Sequence, residues 1–339
     1  MIDLEEYHPD DYKLRDIKAA KKEVDDIVDI ITMPTEKISL ETRKEISKKT
    51  VRNFRDHINK GFLEYRKSVT EATGFAVTEW TGEGSILVDA LDRQFLDLLG
   101  GFGLYSYGIR HPKIVAAVKS QLDRSPQYSQ EMLDPLRAQL AKVLALLTPG
   151  KIQYGFFANS GTEAVDGAMK LAKLYTGKKG FISTLKAFHG KSLGALSLMG
   201  KHVFRKPLLP LLDGIRQAPF GDLKAMEQEL ISARAVGDDI AAVVLEPIQG
   251  EAGAIVPPDD YLPGVRELCD RYGVLMIADE VQTGFGRTGE LFGVDHWNVK
   301  PDIMCFGKAL GGGVVPMSAF MSTPEIWKCM EPNPFIHTT

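Results

Sequence analysis

Two hydrophobic rhythms run along the chain and change over near Pro112. Leu14, Ile17, Val24, Ile27, Val28 and Ile31 recur at steps built from threes and fours among many charges, the period of an amphipathic helix that must end before Pro34. A second helix is expected from Ser39, with Ile46, Phe54 and Ile58 along one side. Over residues 75–99 the period shortens, and Ile86-Leu87-Val88 and Phe95-Leu96 flank residues 89–94 as two arms of a hairpin. The first hundred residues therefore read as a helical arm plus a small antiparallel unit.

From Pro112 onward strand, loop and helix alternate. Helices are expected over 112–122, 136–147, 162–175 with Gly177 just past the end, and 261–272 stopped by Gly273. Between them lie short apolar runs at 154–157, 180–182, 240–245, 274–277, 303–306 and 315–320. Runs apolar on both faces fit a mostly parallel central sheet buried between helices, an α/β fold.

Composition narrows the function classes. The 339 residues are 44% hydrophobic, 25% charged and 9% aromatic, the profile of a globular protein rather than a fibrous or disordered one. Forty-one basic against forty-five acidic residues give a net charge of −4, with no surplus to attract a phosphate backbone, so nucleic acid is not expected as partner. No apolar run approaches the ~18 residues of a membrane span, and the acidic start Met1-Ile2-Asp3-Leu4-Glu5-Glu6 lacks the order of a secretory signal. Cys269, Cys305 and Cys329 show no metal-ligand or disulfide spacing. A cytoplasmic location without metal is expected.

Ligands of open α/β sheets bind beyond the carboxyl ends of the strands. Four of the expected strands end on chemistry: Asn159-Ser160-Gly161-Thr162, Glu246, Asp279 and Lys308. All but Glu246 have a plain alternative. Ser160-Gly161-Thr162 is either an anion site at a helix amino end or an ordinary cap. Lys308, before three glycines, is either a desolvated amine able to form a Schiff base or a lysine that snorkels out or pairs with Asp279. Asp279-Glu280 is either a ring-nitrogen partner or a solvated acidic turn, and Phe188 either a stacking face or a core aromatic. Taken together, a lysine, an acid and a phosphate cradle on one rim match the needs of a pyridoxal phosphate ring.

At these residues the sequence resembles the class III (ω-amino acid) aminotransferases of pyridoxal-phosphate fold type I. The matching strings are Asn159-Ser160-Gly161-Thr162-Glu163, Phe188-His189-Gly190, Glu246-Pro247-Ile248-Gln249-Gly250-Glu251, Asp279-Glu280-Val281-Gln282-Thr283-Gly284 and Gly307-Lys308-Ala309-Leu310-Gly311-Gly312-Gly313. The resemblance implies a helical arm over 1–60, the first part of a small domain over 61–104 and a large coenzyme-binding domain over 105–339. It implies pyridoxal 5'-phosphate as cofactor, with Lys308 and Asp279 catalytic. Lys308 would carry the coenzyme, Asp279 pair with its ring nitrogen, Gln282 bond the ring oxygen and Phe188 stack on the ring. Ser160, Gly161 and Thr162 would hold the phosphate, with Glu246 supporting the ring region.

Within the family, residues 61–68, 129–136 and 187–196 are most similar to putrescine aminotransferases. That similarity implies transfer of the terminal amine of putrescine or cadaverine to 2-oxoglutarate, giving glutamate and, from putrescine, 4-aminobutanal, in a homodimer or higher homo-oligomer. Phe102 and Lys191 replace a tyrosine and an arginine of ornithine-type members, and Glu251 falls where relatives carry a carboxylate at the substrate entrance. Other readings are an ornithine, acetylornithine or 4-aminobutyrate aminotransferase, an aminomutase, or a non-catalytic interaction protein. The chain stops at Phe335-Ile336-His337-Thr338-Thr339, short of the family's C-terminal domain, so impaired activity and marginal solubility are expected. A turn glycine usual near Asp92 is also missing.

Overall fold

A computed structural model describes residues 16–61, 63, 77–125, 132–334 and 337. The motif positions Leu14, 62, 64–68 and 129–131 lie outside them. The chain divides into two compact units, Met1–Leu98 and Leu99–Thr339.

In the first unit, the helix Ile17–Thr32 begins where Asp16 accepts a hydrogen bond from the Ala19 amide, 2.9 Å, and the helix Leu40–Asn53 where Ser39 accepts from Thr42, 3.1 Å. The apolar stripe of the first helix is present but none of its residues is buried. The second helix runs on as a wider turn over Phe54–Asn59. Strands β1 (Glu79–Glu83), β2 (Ile86–Asp89) and β3 (Gln94–Leu96) form an antiparallel sheet in that order. The expected hairpin is its second half, with Ile86 opposite Leu96 and Leu87 opposite Phe95. Asp92 takes the turn position at φ +63°, a conformation aspartate tolerates better than most residues, and its carboxylate is gripped by Arg43.

The second unit is built on a seven-stranded sheet. Its strands are β4 (Tyr154–Ala158), β5 (Gly180–Thr184), β6 (Ile215–Ala218), β7 (Ile240–Leu245), β8 (Leu275–Asp279), β9 (Ile303–Phe306) and β10 (Ser318–Ser322). They lie in the order β4-β10-β9-β8-β7-β5-β6. Strands β9, β8, β7, β5 and β6 are parallel, and β10 alone runs against its neighbours β4 and β9. The chain has the α/β fold expected, a mostly parallel sheet covered by helices.

Alternation explains the uninterrupted apolar runs. Val243, Leu245, Met276, Ala278, Met304 and Phe306 share one cluster with the helices Leu223–Val236 and Tyr261–Tyr272. Ala242, Val244, Ile277, Ile303 and Cys305 share the other with the helix Gly161–Thr176. Both faces are covered, so both parities of each strand must be apolar. The Gly161–Thr176 helix lies so close to β10 that a Cβ on Gly167 would fall 2.2 Å from the Phe320 ring.

Two expectations shift. The run expected over 315–320 starts as a strand at Ser318, because Pro316 offers no N–H to a ladder and Val314 and Val315 remain exposed. Strand β6 and the helix after it carry no strong apolar signal; β6 is an edge strand whose Arg216 faces Asp238 and Glu229. No helix among the described residues is long and apolar enough to cross a membrane.

Candidate active site

The carboxyl ends of β4, β7, β8 and β9 carry the four motifs picked out by the sequence, and the structure brings them to one rim. After β4 the chain turns into the Gly161–Thr176 helix through a capping box. Glu163 reaches back, its Oε2 accepting from the amides of Asn159 and Ser160, both 2.8 Å. The box leaves the amides of Gly161 and Thr162 pointing out of the helix end, where the dipole favours an anion. The Thr162 hydroxyl contacts the Ser192 hydroxyl at 2.6 Å and accepts from the Ser192 amide at 3.0 Å. Gly190, at φ +120°, lets the loop pass: a Cβ there would meet Thr162 Oγ1 at 2.3 Å.

Glu246, at the end of β7, is buried and works as a staple. Its Oε1 accepts from the Phe188 amide at 3.0 Å and its Oε2 from the Gly250 amide at 3.1 Å. Burial pushes its carboxyl pKa up, with Asp279 adding to the rise and His189 opposing it. Gln249 makes a second tie, its amide donating to Thr184 Oγ1 at 3.0 Å and the Leu185 carbonyl at 2.9 Å. Phe188 is thereby fixed at its backbone, while its ring meets Phe204 edge-on at 6.2 Å.

Asp279 ends β8 opposite Cys305 of β9. Its Oδ1 accepts from the Val281 amide at 3.1 Å and its Oδ2 from His189 Nδ1 at 2.7 Å. A carboxylate can only accept, so Nδ1 carries the proton. Burial works against charge on His189, but the hydrogen bond and charge of Asp279, with Glu246 behind, raise its pKa overall. Its Nε2 is buried without a partner.

Lys308 follows β9 at φ +44°, a strained position for a side-chain-bearing residue. Burial lowers its pKa, against the pull of Asp279 and Glu246, and Arg287 lowers it further. Gln282 donates to the Phe102 carbonyl at 2.8 Å. A Cβ on Gly103 would lie 3.3 Å from Gln282 and 3.4 Å from Lys308, so the 100–103 turn approaches both. Close packing continues beneath, where a Cβ on Gly161 would meet Val281 at 2.7 Å.

The three expected substrate residues are placed less centrally. Phe102 is half exposed at φ +58°. Lys191 sits over the aromatic pair, 4.6 Å from the Phe204 centroid and 5.9 Å from that of Phe188. Glu251 is ion-paired with Lys201. His189 and Glu280 carry more of the local bonding than sequence reasoning gave them. The signal was there in part: both lie beside a motif residue, but a bare histidine or acid does not declare that it is buried.

A desolvated lysine, a buried acid, a flat aromatic and an open helix amino end together suit an aldehyde-bearing aromatic phosphate. The comparisons agree. The family model for class-III aminotransferases matches residues 67–338. An amine transaminase from an uncultivated Pseudomonas species, solved in its PLP-bound form, is 30% identical with a TM-score of 0.72, covering 77% of this chain and 65% of its own. An (S)-enantioselective ω-transaminase from Thermomicrobium roseum is 29% identical with a TM-score of 0.76, covering 85% and 69%. The ornithine aminotransferase of Toxoplasma gondii is 26% identical with a TM-score of 0.72, covering 95% and 70%. The chain thus spans about two thirds of the length of the structures it matches, 65% to 70% of these three.

Proposed function

The chain belongs to the class-III aminotransferase family, and from that premise we propose that it moves a terminal amine from a diamine, putrescine or cadaverine, to 2-oxoglutarate with pyridoxal 5'-phosphate as cofactor. The observation that carries this reading is Lys308, desolvated at the end of β9, within the field of Asp279 at the end of β8.

When bound, the coenzyme supplies an aldehyde for the amine and an electron-withdrawing ring. The chain's own residues do the rest. The amides of Gly161 and Thr162, with Ser160 at the helix cap, would take the phosphate. Asp279 would hold a proton on the ring nitrogen, its carboxylate oriented by His189. Phe188, its backbone held by Glu246, would offer a stacking face, and Gln282 would address the ring oxygen. Lys308 Nζ, its pKa lowered by burial, would take the coenzyme aldehyde and, once released by the incoming amine, accept the proton from the amine-bearing carbon of the donor.

A diamine offers no carboxylate, and the uncharged Phe102 wall suits it. Glu251 supports the far end: freed from Lys201, its carboxylate would meet the second ammonium. A second reading, an α-amino-acid donor such as ornithine, draws on the Lys191 ammonium beside Phe188 and on the likeness to an ornithine aminotransferase. Homodimer formation fits the exposed apolar residues Leu133, Leu136 and Leu146.

The test is a set of half-reactions followed by the coenzyme's visible absorbance, with putrescine, cadaverine, ornithine and 4-aminobutyrate side by side. The diamines should convert the spectrum fastest, and 2-oxoglutarate should restore it. Faster conversion by ornithine favours the second reading, and no visible band with added coenzyme rejects both.

A further inference from the structure

Glu280 follows Asp279 but faces a different set of partners. Its carboxylate is fully buried and accepts three donors: the Thr283 hydroxyl, the Gly293 amide at 2.8 Å and the Val294 amide at 2.8 Å. Thr283 stands at the start of a loop and Gly293 and Val294 at its end, so one side chain ties both ends of residues 280–294. The loop carries two side chains that reach the same neighbour. Gln282 donates to the Phe102 carbonyl at 2.8 Å, and Arg287 Nη2 donates to Ser106 Oγ at 3.1 Å. Gly103, between those two landing points, is the residue whose Cβ would lie 3.3 Å from Gln282 and 3.4 Å from Lys308.

A neutral amide would suffer less desolvation at this place. It has only one acceptor oxygen, however, where three donors converge. Phe285 packs against Phe292 and Phe306, with centroids 5.6 Å apart in both pairs, and the Gly286 amide donates to the Leu291 carbonyl at 3.2 Å; these contacts join the loop's arms further from its ends than the Glu280 bonds to Gly293 and Val294.

We propose that Glu280 is a positioning residue: it locks the two ends of the 280–294 loop and so holds Gln282 and Arg287 against residues 102–106 beside Lys308. The proposal rests on reading this rim as the coenzyme site, and it concerns a residue that would not itself touch the coenzyme.

The experiment measures backbone hydrogen exchange of the full chain, without coenzyme, in wild type, Glu280→Gln and Thr283→Val, together with coenzyme affinity from an absorbance titration. Glu280→Gln should speed exchange over 284–294 at least tenfold, speed 102–106 as well, and weaken pyridoxal phosphate binding at least fivefold, with β7 and β9 unchanged. Thr283→Val, which removes one donor of three, should move all three readouts the same way by less. Unchanged exchange over 284–294 in both variants overturns the proposal. So does faster exchange confined to that loop with 102–106 and affinity unaltered, since Glu280 would then be only structural. If Glu280→Gln loses protection everywhere, Thr283→Val decides by the same criteria. A wild type that binds no pyridoxal phosphate refutes the coenzyme reading, and exchange at 102–106 then decides on Glu280 alone.

Discussion

His189 and Asp279 are joined by a 2.7 Å hydrogen bond between two side chains sealed from solvent, 0% and 4% exposed. The strand end supplies the acid and the loop after β5 supplies the imidazole, so the bond ties that loop to the end of β8. Removing one partner of a buried charged pair leaves the other uncompensated, at a cost of about 3 kcal/mol or more. His189→Phe is therefore expected to lower the melting temperature by about 4 °C or more on the scaling for a chain of this size. The sign of the pH dependence follows from the raised pKa of His189. Its contribution is complete below the ordinary histidine value of 6.5 and fades as pH climbs through the higher folded-state value. Melting curves of wild type and His189→Phe should thus converge on the alkaline side. Parallel curves across pH 5 to 9 would show that His189 acts by packing alone.

Glu280 gives a second pH signature. Burial pushes its carboxyl pKa up to about 7 from an ordinary 4.5. The folded chain then holds a proton that the unfolded chain has released, so stability falls as pH rises from 4.5 toward about 7 and is level above. At ~1.4 kcal/mol per pH unit, that interval is worth about 3 kcal/mol. Glu280→Gln, which cannot titrate, should flatten this stretch of the denaturant-midpoint profile. An unchanged slope between pH 5 and 7 would contradict it.

Much of this was legible in the sequence because the fold repeats one rule. Strands β7 and β9 were read at their exact residues since both faces of each are apolar, and Gly177 and Gly273 closed their helices in the left-handed conformation expected of them. Strand β6 was not legible, because an edge strand such as Ile215–Ala218 needs only one buried end and its arginine is tied to side chains outside the strand. The rim residues could be found from the order strand, motif, helix. The bonding among them could not: that Glu246 holds the Phe188 amide, or that Lys201 holds Glu251, depends on contacts between segments 50 or more residues apart.

Lys308 should show the conflict between function and stability directly. Its pKa is lowered by burial, so folding disfavours the ammonium that the unfolded chain holds in water. Lys308→Met keeps the length of the stem and drops the charge. The coenzyme-free variant is expected to melt at a higher temperature than coenzyme-free wild type, with transaminase activity lost and no coenzyme mass retained after borohydride reduction. A lower melting temperature would mean that the ammonium's attraction to Asp279 and Glu246 outweighs its burial.

Gly250 offers a test of Gln282 that leaves Gln282 itself in place. A Cβ at residue 250 would fall 1.4 Å from Gln282 Oε1, so Gly250→Ala forces that side chain off its present position. Gly250 lies in the loop after β7, outside the two core clusters, and its backbone hydrogen bond to Glu246 does not depend on a missing side chain. The substitution should therefore cost little global stability, about 1 kcal/mol, in keeping with changes away from a packed core. Its effect should appear where Gln282 acts. The bond to the Phe102 carbonyl is lost, and coenzyme affinity falls by about tenfold, the equivalent of ~1.4 kcal/mol for one hydrogen bond to the ring oxygen. Gln282→Ala, measured beside it, should lose a similar amount, and the double variant no more than either alone, because both remove the same contact. Additive losses would show that Gly250→Ala disturbs the Glu246 staple as well, and that Gln282 is not the residue through which it acts.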